Sequence, residues 1–423
     1  MPTSSSSATE RAQAARCRPT TSTLLRTAFV ALRRIMHGEV VASAANASTV
    51  TSQAPLIASP TEWVHQLSAI SGGTISHTST RALYFNMLAT LLTGAALVCN
   101  PSSAEQLEGC YAVFRAGSGA PTMKMKRTST TMTGIKRLFN VRDLVIEVAN
   151  KRLTGGYLEA GVWRGGNSIM AAATMQLYGL GTRPIYLCDS FHGLPLSRKD
   201  SPRPREGGIY QRMKGTLSVS AQRVVGNFDR FSIPREHVTI VPGYFVESLP
   251  GLRDELDARG EMLAVLRMDG DMYDSTADIL FNLYDLVQEG GFVIIDDFGW
   301  ANGAVANGTS FAKPLFGAKQ ALLDFRVLHS IDDPMKDIDG MGAYFQKTKA
   351  LPSPLRQAID SVRRNSTQYM RALKERTYPG IATAKELTTG DYYRMMKAWE
   401  ASAGGAKATD ATAQAEALDS AQE

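Results

Sequence analysis

Two short apolar runs, each ending in acids, constrain this chain more than any other feature. Leu263 to Met268 is apolar apart from Arg267, and it is followed by Asp269 and, after one glycine, Asp271. Gly290 and Gly291 open a second run, Phe292 to Ile295, which is rich in β-branched residues and ends in Asp296 and Asp297. Such runs read as parallel strands covered by helices on both faces. An acid at the carboxyl end of such a strand points into the crevice where open α/β sheets bind ligands. Two neighbouring strands would then deliver four carboxylates to one rim. Four acids repel one another unless a cation or a proton compensates, so either a divalent metal sits among them or they point apart. The plainer alternative is that Asp296 and Asp297 cap a following turn.

Upstream, the same logic yields three more strand ends. Gly156 to Ala160 reads as the first strand, followed by GVWRGGNS and a helix over Ile169 to Tyr178. The E-x-G-x-x-x-G-G pattern differs from the G-x-G-x-x-G of dinucleotide proteins. It spaces its glycines as S-adenosylmethionine enzymes do, where a glycine turn lets backbone approach the ligand. Ile185 to Cys188 reads as the second strand, ending in Asp189, which is placed to accept from both ribose hydroxyls. His237 to Val241 reads as a third, ending in PGYF, a glycine turn with two aromatics suited to flanking an adenine. Three consecutive strand ends describe one nucleoside-containing ligand.

The rest of the chain frames this core. Helical periodicity over Ile135 to Leu153 leads into the first strand, and Ala82 to Cys99 reads as a buried amphipathic helix, too interrupted by polar residues to span a membrane. Gly117 to Arg127 reads as a basic loop, and Pro195 to Lys214 as another, either a lid over substrate or a solvated surface loop. After the acids come a Gly/Asn/Ala-rich insertion at Gly299 to Lys313, a helix at Gly317 to Phe325, and strands at Val327 to Ile331 and Gly342 to Gln346. Residues 351–400 read as helical. Residues 1–60, rich in Ser, Thr, Ala and Arg, suit an organellar transit peptide or a disordered tail, and residues 401–423 are low-complexity. The expected divisions are thus 1–60, an N-terminal helical region 61–150, a ligand-binding domain 151–350, a helical extension 351–400 and the tail.

Composition narrows the function classes. A net charge of +6 is only mildly basic, and no aromatics interleave with Lys and Arg, which argues against nucleic acid. Cys17, Cys99, Cys110 and Cys188 show no metal or disulfide spacing, so free thiols in a reducing compartment are expected.

Taken together, GYLEAGVWRGG, CDSFHGLP, VPGYFVESLP, LRMDGDMYDST, GGFVIIDDF and AKQALLDFR resemble the macrocin O-methyltransferase (TylF) family, in order, from about Arg81 to Lys347. The resemblance implies a Rossmann-like methyltransferase fold of the α/β class. Its sheet would be mostly parallel and seven-stranded, with helices on both faces and an N-terminal helical extension. It implies S-adenosylmethionine as donor, Mg2+ as divalent cation, and a sugar hydroxyl of a glycosylated natural product or glycan as acceptor. Carried over by position, the metal ligands are Asp269, Asp296 and Asp297, and Asp271 is the general base. Gly270 would free the backbone to turn Asp271 toward the acceptor; the alternatives are Asp271 as a fourth ligand or second-shell acceptor, with His192 then the base. Donor contacts are Glu159, Gly161, Gly165, Asp189, Ser190, Gly243, Tyr244 and Phe245. The family usually has Thr where Ala160 stands. Two other functions compete: O-methylation of a non-sugar vicinal diol or catechol, and a non-catalytic donor-binding scaffold. The expected partner is a small-molecule or glycan acceptor, without nucleic acid or a membrane span, and homo-oligomerisation is left open. The expected location is the cytoplasm, or a plastid or mitochondrion if residues 1–60 are a transit peptide.

Overall fold

The apolar runs lie side by side. In a computed structural model that describes residues 77–94, 129–201, 217–299, 316–375 and 377–378, they form one seven-stranded sheet in the order β3-β2-β1-β4-β5-β7-β6. The strands are β1 (Gly156–Ala160), β2 (Ile185–Asp189), β3 (Val238–Pro242), β4 (Leu263–Met268), β5 (Val287–Ile295), β6 (Lys336–Asp337) and β7 (Ala343–Gln346). The first five pair in parallel; β7 runs antiparallel to β5 and to β6. Every residue of β1 and β4 is buried, as a strand covered on both sides requires.

Helices supply the two covers. Within the sheet's own unit they are α2 (Ile135–Asn150), α3 (Gly166–Leu177), α4 (Ala221–Arg230), α5 (Phe245–Arg259), α6 (Tyr273–Leu283), α7 (Phe316–Leu328), α8 (Ser353–Val362) and α9 (Ser366–Glu375). Because side chains alternate along a strand, Leu158, Ala160, Leu266, Met268, Val293 and Ile295 enter one apolar core with Leu249, Leu252 and Leu256 of α5, Leu280 of α6 and Leu322 of α7. Tyr157, Glu159, Val265 and Arg267 point the opposite way, toward the side where α2 and α3 pack together. The C-terminal helices join the first core through Ile359, Val362, Tyr369 and Leu373.

The chain divides into two compact units, residues 1–114 with 121–129, and residues 115–120 with 130–423. In the first, the described element is α1 (His77–Leu92), where Tyr84, Phe85, Leu88, Ala89 and Leu92 are buried at helical spacing. The helix over 135–150, grouped by sequence with the N-terminal region, belongs to the unit of the sheet. No described helix is long and apolar enough to cross a membrane.

One expected strand is corrected. Val327 to Ile331 is not a strand: α7 runs through Leu328, and the amide of Ile331 returns to the carbonyl of Arg326 across Ser330, whose φ is 50°. Val327, Leu328 and Ile331 make a short apolar run of the kind that a strand or a helix end can equally present. The sixth strand is instead the two-residue Lys336–Asp337. The basic loop at 117–127, most of the insertion at 299–313, most of the loop at 195–214, and both termini lie outside the described residues.

Candidate active site

Register builds the rim. Ala160 pairs with Cys188 on one side and Met268 on the other, and Met268 pairs with Ile295. The next residue on each strand is therefore Gly161, Asp189, Asp269 or Asp296, side by side where the strand order reverses between β1 and β4. That reversal is the crevice in which α/β sheets bind ligands. A cavity of about 250 Å³ opens there, lined among others by Gly161, Trp163, Asp189, Gly243, Asp269 and Asp271.

The donor-side residues are held by backbone. Gly161 has φ 94°, and a Cβ there would lie 1.9 Å from the carbonyl oxygen of Asp269, so only glycine lets β1 turn past β4. Asp189 Oδ2 accepts from the amides of Val162 at 2.8 Å and Trp163 at 3.2 Å, and Oδ1 accepts from Phe191 at 2.8 Å. This carboxylate fixes the glycine turn, and with three of about four lone-pair positions filled it keeps room for one further donor. Ser190 Oγ donates to the carbonyl of Gly193 and accepts from the amide of His192, and His192 Nδ1 donates to the carbonyl of Ser190. Gly243, Tyr244 and Phe245 line the cavity as the start of α5, with Gly243 at φ 134°.

Two assigned donor residues are off the wall. Gly165 is the left-handed cap of α3, where a Cβ would press on Val224 at 3.1 Å. Glu159 is buried beneath the rim, taking hydrogen bonds from Arg267 at 2.8 Å, Tyr157 at 3.2 Å and Ser168. Burial pushes its carboxyl up to about 7 despite the pull of Arg267. Neither residue is among those lining the cavity.

The four acids separate into three and one. Oxygens of Asp269, Asp271 and Asp297 lie within 4.8 Å of one another. Asp296 instead sits between two guanidiniums, Arg267 Nη2 and Arg137 Nη1, each at 2.5 Å. Arg267 also donates to Asp269 at 2.9 Å, and Arg137 to Asp339 at 2.9 Å in the turn between β6 and β7. Two cations thus hydrogen-bond to Glu159, Asp269, Asp296 and Asp339, while Asp271 and Asp297 hydrogen-bond to each other and Arg137 acts on Asp297 only through its charge. Burial and then the charges of Asp269 and Asp296 raise Asp271 to about 8; burial and then Asp296 raise Asp269 to about 6. Asp297 is pushed far above the carboxylate range by burial, and then by Asp271. Its Oδ2 is buried without a partner.

Asp271 itself, not Gly270, takes the left-handed conformation, at φ 58°. Aspartate tolerates that region, and Gly270 is small because Ser275 lies 3.1 Å from where its Cβ would be. Sequence reasoning missed Arg137 and Asp339, which no local pattern marks. Arg267 did leave a signal, as the one charged residue in the otherwise apolar β4.

Comparison with known proteins gives the family. The profile of the macrocin-O-methyltransferase (TylF) family matches residues 112–347. Over 229 residues the chain is 36% identical to the 8-demethyl-8-(2,3-dimethoxy-alpha-L-rhamnosyl)-tetracenomycin-C 4'-O-methyltransferase of Streptomyces olivaceus, covering 54% of this chain and 79% of that protein. It is 32% identical over 271 residues to demethyldecarbamoylnovobiocin O-methyltransferase of Streptomyces niveus, covering 64% and 95%. The solved structure of the O-methyltransferase NovP matches with a TM-score of 0.50 at 30% identity, over 63% of this chain and 99% of that one. This chain belongs to the macrocin-O-methyltransferase (TylF) family and is an O-methyltransferase.

Proposed function

We propose that this chain transfers the methyl group of S-adenosylmethionine to a sugar hydroxyl of a glycosylated small molecule, with Mg2+ held at the rim carboxylates. The reading is carried by one observation: Asp269 and Asp271 of the acid cluster line the same cavity as the Gly161, Asp189 and Gly243 turns. The Streptomyces olivaceus relative is named for a rhamnosyl tetracenomycin acceptor, which supports a sugar hydroxyl.

The residues fit both groups. For a divalent cation there are hard oxygen donors within reach of one another and the partnerless Oδ2 of Asp297. For the donor there are two positive-φ glycine turns, the aromatic rings of Trp163, Tyr244 and Phe245, and carboxylates suited to a sulfonium. When bound, the donor supplies an already activated methyl group and the cation supplies Lewis acidity toward an acceptor hydroxyl.

Asp269 and Asp297 would hold the cation. Asp296, in the ligand set implied by the resemblance, keeps only the lone pairs that Arg137 and Arg267 leave over, so its first role is to tie the rim to α2 and β4. Asp271 accepts the hydroxyl proton: it lines the cavity beside Asp269, within reach of an acceptor held there. The Asp189-braced turn places the donor, and the aromatics exclude water from its path.

The test is transfer of a labelled methyl group from S-adenosylmethionine to demethyldecarbamoylnovobiocin, to the demethylated rhamnosyl tetracenomycin, and to a catechol, each with and without EDTA. Glycoside methylation abolished by EDTA and restored by Mg2+ is expected. Methylation of the catechol alone would overturn the sugar acceptor, and full activity in EDTA would overturn the cation. Asp271→Asn separates base from ligand: loss of a base lowers kcat with Mg2+ affinity kept, whereas loss of a ligand lowers both together.

A further inference from the structure

We propose that Arg198, Asp274 and Asp278 form a second polar subsite in the cavity, which takes a neutral hydroxyl-bearing part of the acceptor away from the reacting oxygen. This rests on the glycoside reading above. All three residues line the cavity, beside the apolar side chains of Leu194 and Leu196. Asp274 and Asp278 stand one turn apart on the first half of α6 and are each only 4% exposed.

The hydrogen bonding is half-finished in a particular way. Asp274 Oδ2 accepts from the backbone amide of Arg198 at 2.8 Å, while its Oδ1 is buried with no partner. Arg198 Nη1 spans both oxygens of Asp278 at 2.9 and 3.0 Å, while its Nε and Nη2, the other edge of the same plane, are buried with no partner. One side chain therefore lacks a donor and its neighbour lacks an acceptor. A buried carboxylate oxygen or guanidinium edge left so costs its desolvation, so the site is complete only when something bridges it. A group that both donates and accepts is a hydroxyl. Two vicinal hydroxyls, one donating to Asp274 and one accepting from Arg198, satisfy the set.

Charge selects the ligand further. Asp274 alone balances the guanidinium, and Asp278, raised by burial to about 7, adds only negative charge, so the subsite has no net positive charge for a phosphate or carboxylate even though a free guanidinium edge would suit either. The apolar leucines alongside match the C–H face of a pyranose. Behind the subsite, Tyr369 of α9 donates to Asp278 Oδ1 and its ring lies 5.9 Å from the Arg198 guanidinium. That tyrosine comes from beyond residues 112–347, so the C-terminal helices contribute a positioning residue that the family match does not cover.

The test uses the full chain and whichever glycoside of the preceding panel it methylates, with the analogue lacking one hydroxyl of the non-reacting ring positions as a second substrate. Asp274→Asn and Arg198→Gln are each expected to raise KM for the intact glycoside about tenfold or more, the size of a lost hydrogen bond to a charged group. S-adenosylmethionine affinity by calorimetry should stay unchanged, and the penalty should disappear on the deoxy analogue. Arg198 is partly exposed, so its variant remains informative if Asp274→Asn fails to fold. Tyr369→Phe should raise KM by a smaller factor, about threefold, with kcat kept. A chain that methylates no glycoside overturns the reading and the subsite with it. A chain that methylates one with KM unmoved in both Asp274→Asn and Arg198→Gln overturns the subsite alone, water then serving these atoms.

Discussion

Replacing Arg267 by methionine keeps most of its volume and removes one buried cation from beneath the rim. Arg267 is 1% exposed and bonds Glu159 at 2.8 Å, Asp269 at 2.9 Å and Asp296 at 2.5 Å. Hydrogen bonds to charged groups contribute roughly 1.5–3 kcal/mol each, so simple addition gives about 5–9 kcal/mol. That sum overshoots, because the stranded carboxylates can protonate, at about 1.4 kcal/mol per unit of pKa shift. Asp296 also keeps Arg137. The expected loss is therefore about 3–5 kcal/mol, as for other broken buried ion pairs, out of a domain stability of roughly 5–15 kcal/mol. Urea unfolding of the ion-free chain at pH 7.5 and pH 5.5 reads it, with the exposed Arg259, paired to Glu255 at 3.2 Å, as a control worth under about 1 kcal/mol. The sign with pH follows from the acids. A carboxyl whose folded pKa is raised, as Glu159 is from 4.5 to about 7, favours the fold fully at low pH and loses that contribution as pH climbs through the folded value. Removing Arg267 raises such values further, so the variant's deficit is largest at pH 7.5 and shrinks toward pH 5.5. A deficit below about 1 kcal/mol at pH 7.5, or one that grows toward acid, would refute the account of Arg267 as the rim's counter-charge.

Three further outcomes follow from the geometry. Gly161→Ala should weaken donor binding and destabilise the fold together, because its Cβ falls 1.9 Å from the Asp269 carbonyl oxygen; calorimetry and thermal unfolding on the same preparation check this. Asp189→Ala should cost more than one ligand contact, since three backbone amides lose their acceptor, and hydrogen exchange at Val162, Trp163 and Phe191 should speed up even without donor. Burial lowers His329 to about 4, with Nδ1–H donating to Phe325 and Nε2 accepting from Tyr378. The stability of wild type relative to His329→Gln should accordingly be greatest above about pH 6.5 and fall by about 3 kcal/mol as pH drops toward 4, a difference in which the opposite trend of the raised rim acids cancels; a difference that stays constant across that window would count against the assignment.

The strands that carry the site were legible because burial on both faces leaves only one reading. Leu263 to Met268 is apolar wherever it points, and the structure ends the strand at the same residue. Where an apolar run is short the reading fails: Val327, Leu328 and Ile331 suit a strand as well as a helix end, and they are the end of α7 turning back at Ser330. The two-residue β6 is too short for any period to show. β5 begins at Val287, before the glycine pair that reads as its boundary, because Gly290 takes a positive φ and the strand continues through it.

For the site, sequence could place acids on strand ends but not say which of them have partners. Asp269 and Asp296 are neighbours by register alone, since Met268 pairs with Ile295. What sets them apart is Arg137, more than a hundred residues upstream, reaching from α2 to Asp296 and Asp339. Distant partners of this kind leave no spacing to detect, and they decide the electrostatics: two guanidiniums hydrogen-bond to the carboxylates below the rim, whereas Asp271 and Asp297 hydrogen-bond to each other. Burial and the charge of their neighbours push both carboxyls up, so each needs a proton, or in its place a cation, to stay buried. A rim neutralised by arginines throughout would be more stable and would hold neither. The same argument explains why Arg267, the single break in an otherwise apolar strand, stands two residues before the first rim acid: it is close enough to hold Asp269 in place and buried too deep to occupy the cavity itself.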